Sequence, residues 1–175
     1  LAVFETRKPV GIVEDQVFKD GGEQRNRGIE LSVFGEPTPG VRLLGGVTLL
    51  DAELSKTQNG QDDGNQAIGV PKTQANIGGE WDVPGVNGLT LTSRVVYTGR
   101  QYINNANNLE IPSWTRLDLG ARYGFKVDEK DVTLRARLDN VAGRDYWASA
   151  GGYPGSNYLV LGAPRTLSLS ASVDF

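Results

Sequence analysis

The chain has 175 residues, 38% hydrophobic and 22% charged, which is ordinary for a folded domain, and its net charge of −3 leaves no basic footprint for nucleic acid, so nucleic acid is excluded as a partner. With no cysteine and no histidine, disulfides, thiol chemistry and the commonest metal ligand and general base are missing; no catalytic residue or metal site stands out, and the chain reads as something other than an enzyme. The longest uncharged apolar runs, such as Val47 to Leu50, fall far short of the roughly 20 residues that a spanning helix needs.

In chain order, strands begin at once. Leu1 to Thr6 lacks the charged start and apolar core of a signal peptide and reads as a strand already under way, so the expectation is a chain that begins inside a larger protein. Two further strands are expected over Arg25 to Phe34 and Val41 to Ala52, the second with a loosely fixed register because Leu44 and Leu50 fall on its polar face. The next five show a strict two-residue period. Their apolar rows are Ala75, Ile77, Gly79, Trp81 and Val83; Leu89, Leu91, Ser93, Val95 and Tyr97; Leu117, Leu119, Ala121, Tyr123 and Phe125; Val132, Leu134, Ala136 and Leu138; and Leu167, Leu169, Ala171, Val173 and Phe175.

These rows hold no charge and, in Ser93, a single polar side chain, while the opposite rows carry Glu80, Asp82, Arg94, Arg116, Asp118, Arg122, Arg135, Arg137, Asp139 and Asp174. A soluble sandwich alternates too, but a barrel in lipid needs its outward rows free of charge, since a charge at mid-membrane costs on the order of 2 to 4 kcal/mol. The nine residues from Leu167 to Phe175, at about 3.3 Å each and tilted by roughly 40°, rise roughly 23 Å, close to the apolar band of such barrels. Trp81, Phe125 and Phe175 end three outward rows on one rim, as an interfacial girdle does.

Eight antiparallel strands are thus expected, with short connections at 35 to 40, 82 to 88 and 126 to 129, and longer ones at 7 to 24, 53 to 72, 101 to 113 and 140 to 164. Short turns on one side and long loops on the other are the build of an outer-membrane β-barrel, the short set being periplasmic. Proline placement agrees: Pro9, Pro37, Pro39, Pro84 and Pro154 fall in connections, and Pro71, Pro112 and Pro164 just precede strands. Between the sixth and seventh strands, charge complementarity favours a register that sets Arg116 against Asp139 and Asp118 against Arg137, rather than one that opposes Asp118 to Asp139.

The stretches RNRGIELSVFGEP (25–37), VRLLGGVTLLDAEL (41–54), GVPKTQANIGGEW (69–81), RLDNVAGRDYW (137–147) and GAPRTLSLSASVDF (162–175), in this order and ending on an aromatic residue, resemble the C-terminal portion of a TonB-dependent outer-membrane receptor of the ferric-siderophore type. The resemblance implies an all-β transmembrane barrel of about 22 strands, of which residues 1–175 are the C-terminal part, the plug and earlier strands lying outside this chain. It implies a bacterial outer-membrane location and active uptake of iron carried as a ferric-siderophore chelate, with no cofactor bound directly. The partners it implies are the siderophore, TonB acting through the plug, outer-membrane lipid and lipopolysaccharide, and the barrel-assembly machinery, which would read Phe175 as its signal.

Under this resemblance Tyr146, Trp147, Tyr153 and Tyr158, in one long loop, and Tyr102, beside another, are candidates for a chelate-binding mouth; Trp114 has a weaker claim. An anchoring belt at the lipid headgroups is the stronger reading of the same rings, since tyrosine and tryptophan at a strand's upper end more often serve there. Arg94, Arg116, Asp118, Arg122, Arg135, Arg137 and Asp139 are expected to face the lumen, pairing with one another and touching the plug. Two other architectures fit the period. A complete eight-stranded barrel of structural or adhesive role would pair the first strand with the last; a soluble ligand-carrying barrel would turn the row of Leu167 and Leu169 inward.

Overall fold

A computed structural model describes residues 1–153 and 156–174, Tyr153 by its backbone alone. In chain order the strands are β1 (Ala2–Glu14), β2 (Val17–Thr38), β3 (Val41–Lys56), β4 (Thr73–Asp82), β5 (Leu89–Thr98), β6 (Gln101–Tyr102), β7 (Glu110–Ile111), β8 (Trp114–Val127), β9 (Lys130–Asp139), β10 (Trp147–Tyr153), β11 (Ser156–Leu161) and β12 (Thr166–Asp174). Eight of them form one antiparallel sheet in the order β1-β2-β3-β4-β5-β8-β9-β12, while β6–β7 and β10–β11 are small hairpins inside long loops. The sheet is open: β1 and β12 are its two edges and do not pair, which removes the closed eight-stranded alternative.

The outward rows are where the period placed them. Leu169 is 73% exposed, Leu134 43% and Tyr123 41%, and the row continues through Ile29, Leu31 and Val33 of β2 and Leu43, Val47 and Leu49 of β3. Across this apolar band charge lies on the other face, where Asp118 is only 3% exposed; the outward rows of β2 and β3 become charged only beyond the band, at Arg25, Arg27, Asp51 and Glu53. An apolar face left open beside a face that buries carboxylates reverses the order of a soluble protein, so the soluble carrier falls too. Trp81 stands on the outward face, and Phe125 stacks on Tyr123 with ring centroids 5.4 Å apart. Phe175 lies outside the described residues.

Of the two leucines on the polar row of β3, Leu50 finds its reason, while Leu44 stays 64% exposed. Leu50 and Val70 pack against the buried cluster of Ala52, Leu54 and Ala67, because the segment after β3 folds back over the inner face. Backbone bonds from Ala67 N–H to the Ala52 carbonyl (2.8 Å) and from Leu54 N–H to the Asn65 carbonyl (2.8 Å) hold it there.

Three expectations need correction. The connection at 7 to 24 is not a loop: β1 and β2 continue as a long hairpin closed by Asp15 and Gln16, both at positive φ (53° and 63°), the pattern of a type I′ turn. Lys19 bonds Glu14 across its tip and holds that carboxyl below its ordinary value. Proline follows the same correction. Pro9 lies within β1 beside the register shift between Val10 and Ile12, and Pro37 lies within β2 where the pairing register shifts between Gly35 and Thr38, both places where a missing N–H is tolerated.

The third is the β8–β9 register. Val127 pairs with Lys130, Phe125 with Val132 and Gly120 with Arg137, so neither expected opposition forms; the ladder ends at Leu119 and Leu138, one residue short of Asp118 and Asp139. The turn decides this. Asp128 and Glu129 sit at φ of 47° and 67° in a two-residue I′ turn, whose twist matches the strands better than a four-residue loop would. Since a non-glycine residue at positive φ costs about 1 kcal/mol, Glu129→Gly should raise stability by roughly that amount, read as a higher urea midpoint for unfolding.

Candidate functional site: the loop-side mouth and the inner wall

At the long-loop end of β8, Trp114 and Tyr146 pack ring to ring, with centroids 4.5 Å apart and planes at 40°. The Tyr146 hydroxyl accepts a hydrogen bond from the Arg116 guanidinium (3.3 Å), and the Trp114 indole N–H donates to the Ala148 carbonyl (3.3 Å). Trp114 and Arg116 alternate onto the same face of β8 as Asp118, the charged inner face. Trp114 and Tyr146, with Trp147, Arg144, Asp145 and Pro112, line a concavity of about 410 Å³. Rings beside guanidinium groups suit a chelate that presents flat or anionic groups.

The other ring candidates stand apart. Tyr158 lies across Gly151 of the β10–β11 hairpin, filling the space a side chain there would take. Tyr102 sits under the Arg100 guanidinium, 5.9 Å from its ring centre. The Tyr153 side chain is outside the described residues. Tyr146, Trp147 and Trp114 therefore form the group, and no ring contact joins Tyr102 or Tyr158 to it among the described residues.

Two ion clusters mark the inner wall. Near the mouth, Asp118 accepts from Arg116 (2.9 Å) and lies 3.8 Å from Arg137, whose Nε donates to Asp139 (2.7 Å). Near the short-turn rim, Arg42 grips Asp82 with two bonds of 2.7 Å each and reaches Glu80 (3.1 Å). Arg122 lies 3.5 Å from Glu80, and the Thr90 hydroxyl donates to Asp82 (2.7 Å). Such bidentate arginine–carboxylate pairing suits a confined polar space. Between the clusters, Arg94 makes no ion pair among the described residues, nor does Arg135, which opposes Arg122 on β8 and Ser170 on β12.

Sequence reasoning missed several of these groups. Glu80 and Asp82 were visible on the polar row of β4, but their partner Arg42 lies on the strand whose register was loosely fixed. Asn140 and Gln101 gave no signal, yet they are among the most buried polar residues, 1% and 2% exposed. Gln101 ties two loops together, its amide donating to the Ala148 carbonyl (3.4 Å) and accepting from Ala150 N–H (3.3 Å). A third loop joins them: Asn65 donates to the Asn105 carbonyl (2.8 Å), Gln66 N–H to the Asn107 side chain (2.7 Å) and Gly69 N–H to the Tyr102 carbonyl (2.9 Å).

An open antiparallel sheet with an uncharged outward band, short turns on one rim, long interlocked loops on the other and an ion-paired inner wall is a piece of an outer-membrane barrel. Residues 4–141 match the family described as TonB dependent receptor-like, beta-barrel, and the chain belongs to that family, whose members are outer-membrane transporters and not enzymes. It is similar to the ferrichrome receptor FcuA of Yersinia enterocolitica, at 48% identity over the whole of this chain and 23% of that protein. It is also similar to the metal-pseudopaline receptor CntO of Pseudomonas aeruginosa, at 27% identity over the whole chain and 25% of that protein. Among solved structures, BauA, the ferric preacinetobactin receptor from Acinetobacter baumannii, superposes with a TM-score of 0.88 at 46% identity, over 99% of this chain and 26% of that one. The chain spans about a quarter of the length of these relatives.

Proposed function

We propose that the protein carrying this segment imports a ferric siderophore across the outer membrane, with residues 1–175 forming the C-terminal part of the barrel wall behind a plug and earlier strands. The observation that carries the reading is the aromatic and guanidinium mouth of Trp114, Tyr146, Trp147 and Arg116, opening onto an ion-paired inner wall, in a chain 48% identical to a ferrichrome receptor. The wall itself holds no cofactor in this reading; iron enters as cargo inside its chelate. TonB would supply energy through the plug, which Arg94 and Arg135, left without ion-pair partners on the wall, would face. Lipid and lipopolysaccharide would cover the outward rows, and the assembly machinery would read Phe175.

Ferrichrome and ferric preacinetobactin are the first two chelates to test, being those named for the relatives at 48% and 46% identity. Under iron limitation, a deletion of the parent gene should abolish growth on at least one of a panel of defined ferric siderophores. Trp114→Ala combined with Tyr146→Ala should weaken uptake of that chelate about tenfold, the loss of two ring contacts. Wild-type growth of the deletion strain on every chelate would move the substrate out of the siderophore class.

A further inference from the structure

Asn140 sits at φ of 51°, just past the end of β9, where the chain leaves the wall for the long 140–165 connection. Its side chain spends every hydrogen-bonding group on that connection. The amide nitrogen donates to the Arg144 carbonyl (2.8 Å) and the Ala163 carbonyl (3.1 Å), and the amide oxygen accepts from Arg144 N–H (3.0 Å). The outgoing and returning ends of the connection are therefore clamped on one residue. The Asn140 backbone N–H donates to Asp118 Oδ1 (2.9 Å), while Asp118 Oδ2 accepts from Arg116 and Arg116 donates to the Tyr146 hydroxyl. Tyr146 follows Arg144 by two residues, and its carbonyl accepts from Gly162 N–H (2.8 Å), next to the clamped Ala163. The path returns to its start: Asn140, Asp118, Arg116, Tyr146, Arg144, Asn140.

We propose that Asn140 is a positioning residue that fixes the Tyr146–Trp114 pair at the mouth. Nothing in its surroundings offers it a ligand, because it is buried and every polar group it has is in use. What it controls is where the 140–165 connection starts and returns, and hence whether the Tyr146 hydroxyl meets Arg116 and its ring meets Trp114. Hydrogen bonds linked in a chain of this kind strengthen one another, so loss of the Asn140 clamp loosens the links beyond it. The proposal rests on the reading of Tyr146 and Trp114 as part of the chelate mouth.

Asn140→Gly is the informative variant in the whole receptor that carries this segment. Glycine adopts the positive φ without strain and keeps the backbone bond to Asp118, so only the side-chain clamp is lost. Backbone amides of residues 141–150 should exchange with solvent about tenfold faster. Binding of ferrichrome, or of whichever ferric siderophore the receptor prefers, should weaken about tenfold, while the melting midpoint of the barrel stays at the wild-type value. Wild-type exchange with wild-type affinity would overturn the proposal, as would an affinity loss accompanied by a matching fall in the melting midpoint, which marks a merely structural role. Tyr146→Ala separates the two readings. If that variant binds the chelate as tightly as wild type, the mouth assignment fails, and the exchange rates alone decide the role of Asn140.

Discussion

Leu169→Arg is expected to destabilise the folded barrel by about 2 to 4 kcal/mol, whereas Ser170→Asp, one residue on, should change it by less than about 0.5 kcal/mol. Leu169 pairs with Ala136 in the outward row of β12 and is 73% exposed. In lipid, a guanidinium at that depth loses its hydration and finds no partner on the neighbouring rows, which carry Ala121, Leu134 and Ala171. Ser170 points the other way and opposes Arg135, which has no ion-pair partner among the described residues; a new carboxylate there gains a modest attraction. Reversible folding into phospholipid vesicles, followed by urea titration, measures both. Equal losses at the two positions would mean that β12 has no lipid face, and the assignment of the whole sheet would go with it.

Strand existence was legible because two constraints coincide in a barrel wall: a two-residue period, and an outward row that tolerates no charge. Leu117 to Phe125 and Leu167 to Val173 met both, and both are strands in the structure. What could not be read was where a polar segment keeps its pairing. Residues 7 to 24 are glycine-containing and charged, features of a loop, yet two residues able to take positive φ at Asp15 and Gln16 let β1 and β2 continue far beyond the apolar band. The β8–β9 register failed for a related reason. Opposition between facing residues is a sound guide for short side chains, but arginine reaches along its own strand: Arg116 bonds Asp118 and Arg137 bonds Asp139, each two residues away. Charge was neutralised chiefly within each strand, Arg137 reaching Asp118 across the pair only at 3.8 Å, so it did not select between registers, and the two-residue turn did. For the mouth, composition pointed to Tyr146 and Trp147, since rings in a loop are visible in a sequence. Asn140 and Gln101 were not, because a buried amide draws its role from where the chain returns, which no local pattern encodes.

Asp118 is the residue whose loss should be felt most on the inner wall. Its side chain is 4% exposed and accepts from Asn140 N–H on one oxygen and from Arg116 on the other. Asp118→Ala would leave a buried backbone N–H unpaired and strand the Arg116 guanidinium, whose side chain is 21% exposed. Breaking a fully buried pair costs 3 to 5 kcal/mol; with Arg137 half exposed and able to reach water, about 2 to 3 kcal/mol is expected here. Asp118→Asn keeps an acceptor for Asn140 and loses only the charge, so it should cost roughly half as much. The pair of variants also explains why two carboxylates lie side by side just past the end of the β8–β9 ladder. Asp118 and Asp139 are brought level by the I′ turn at the far end of the hairpin, and the arrangement stands because Arg116, Arg137 and a backbone N–H meet them there. If the repulsion between Asp118 and Asp139 outweighed those contacts, Asp118→Asn would raise the urea midpoint. A fall of about 1 to 1.5 kcal/mol in its place would show that the arginines govern the cluster.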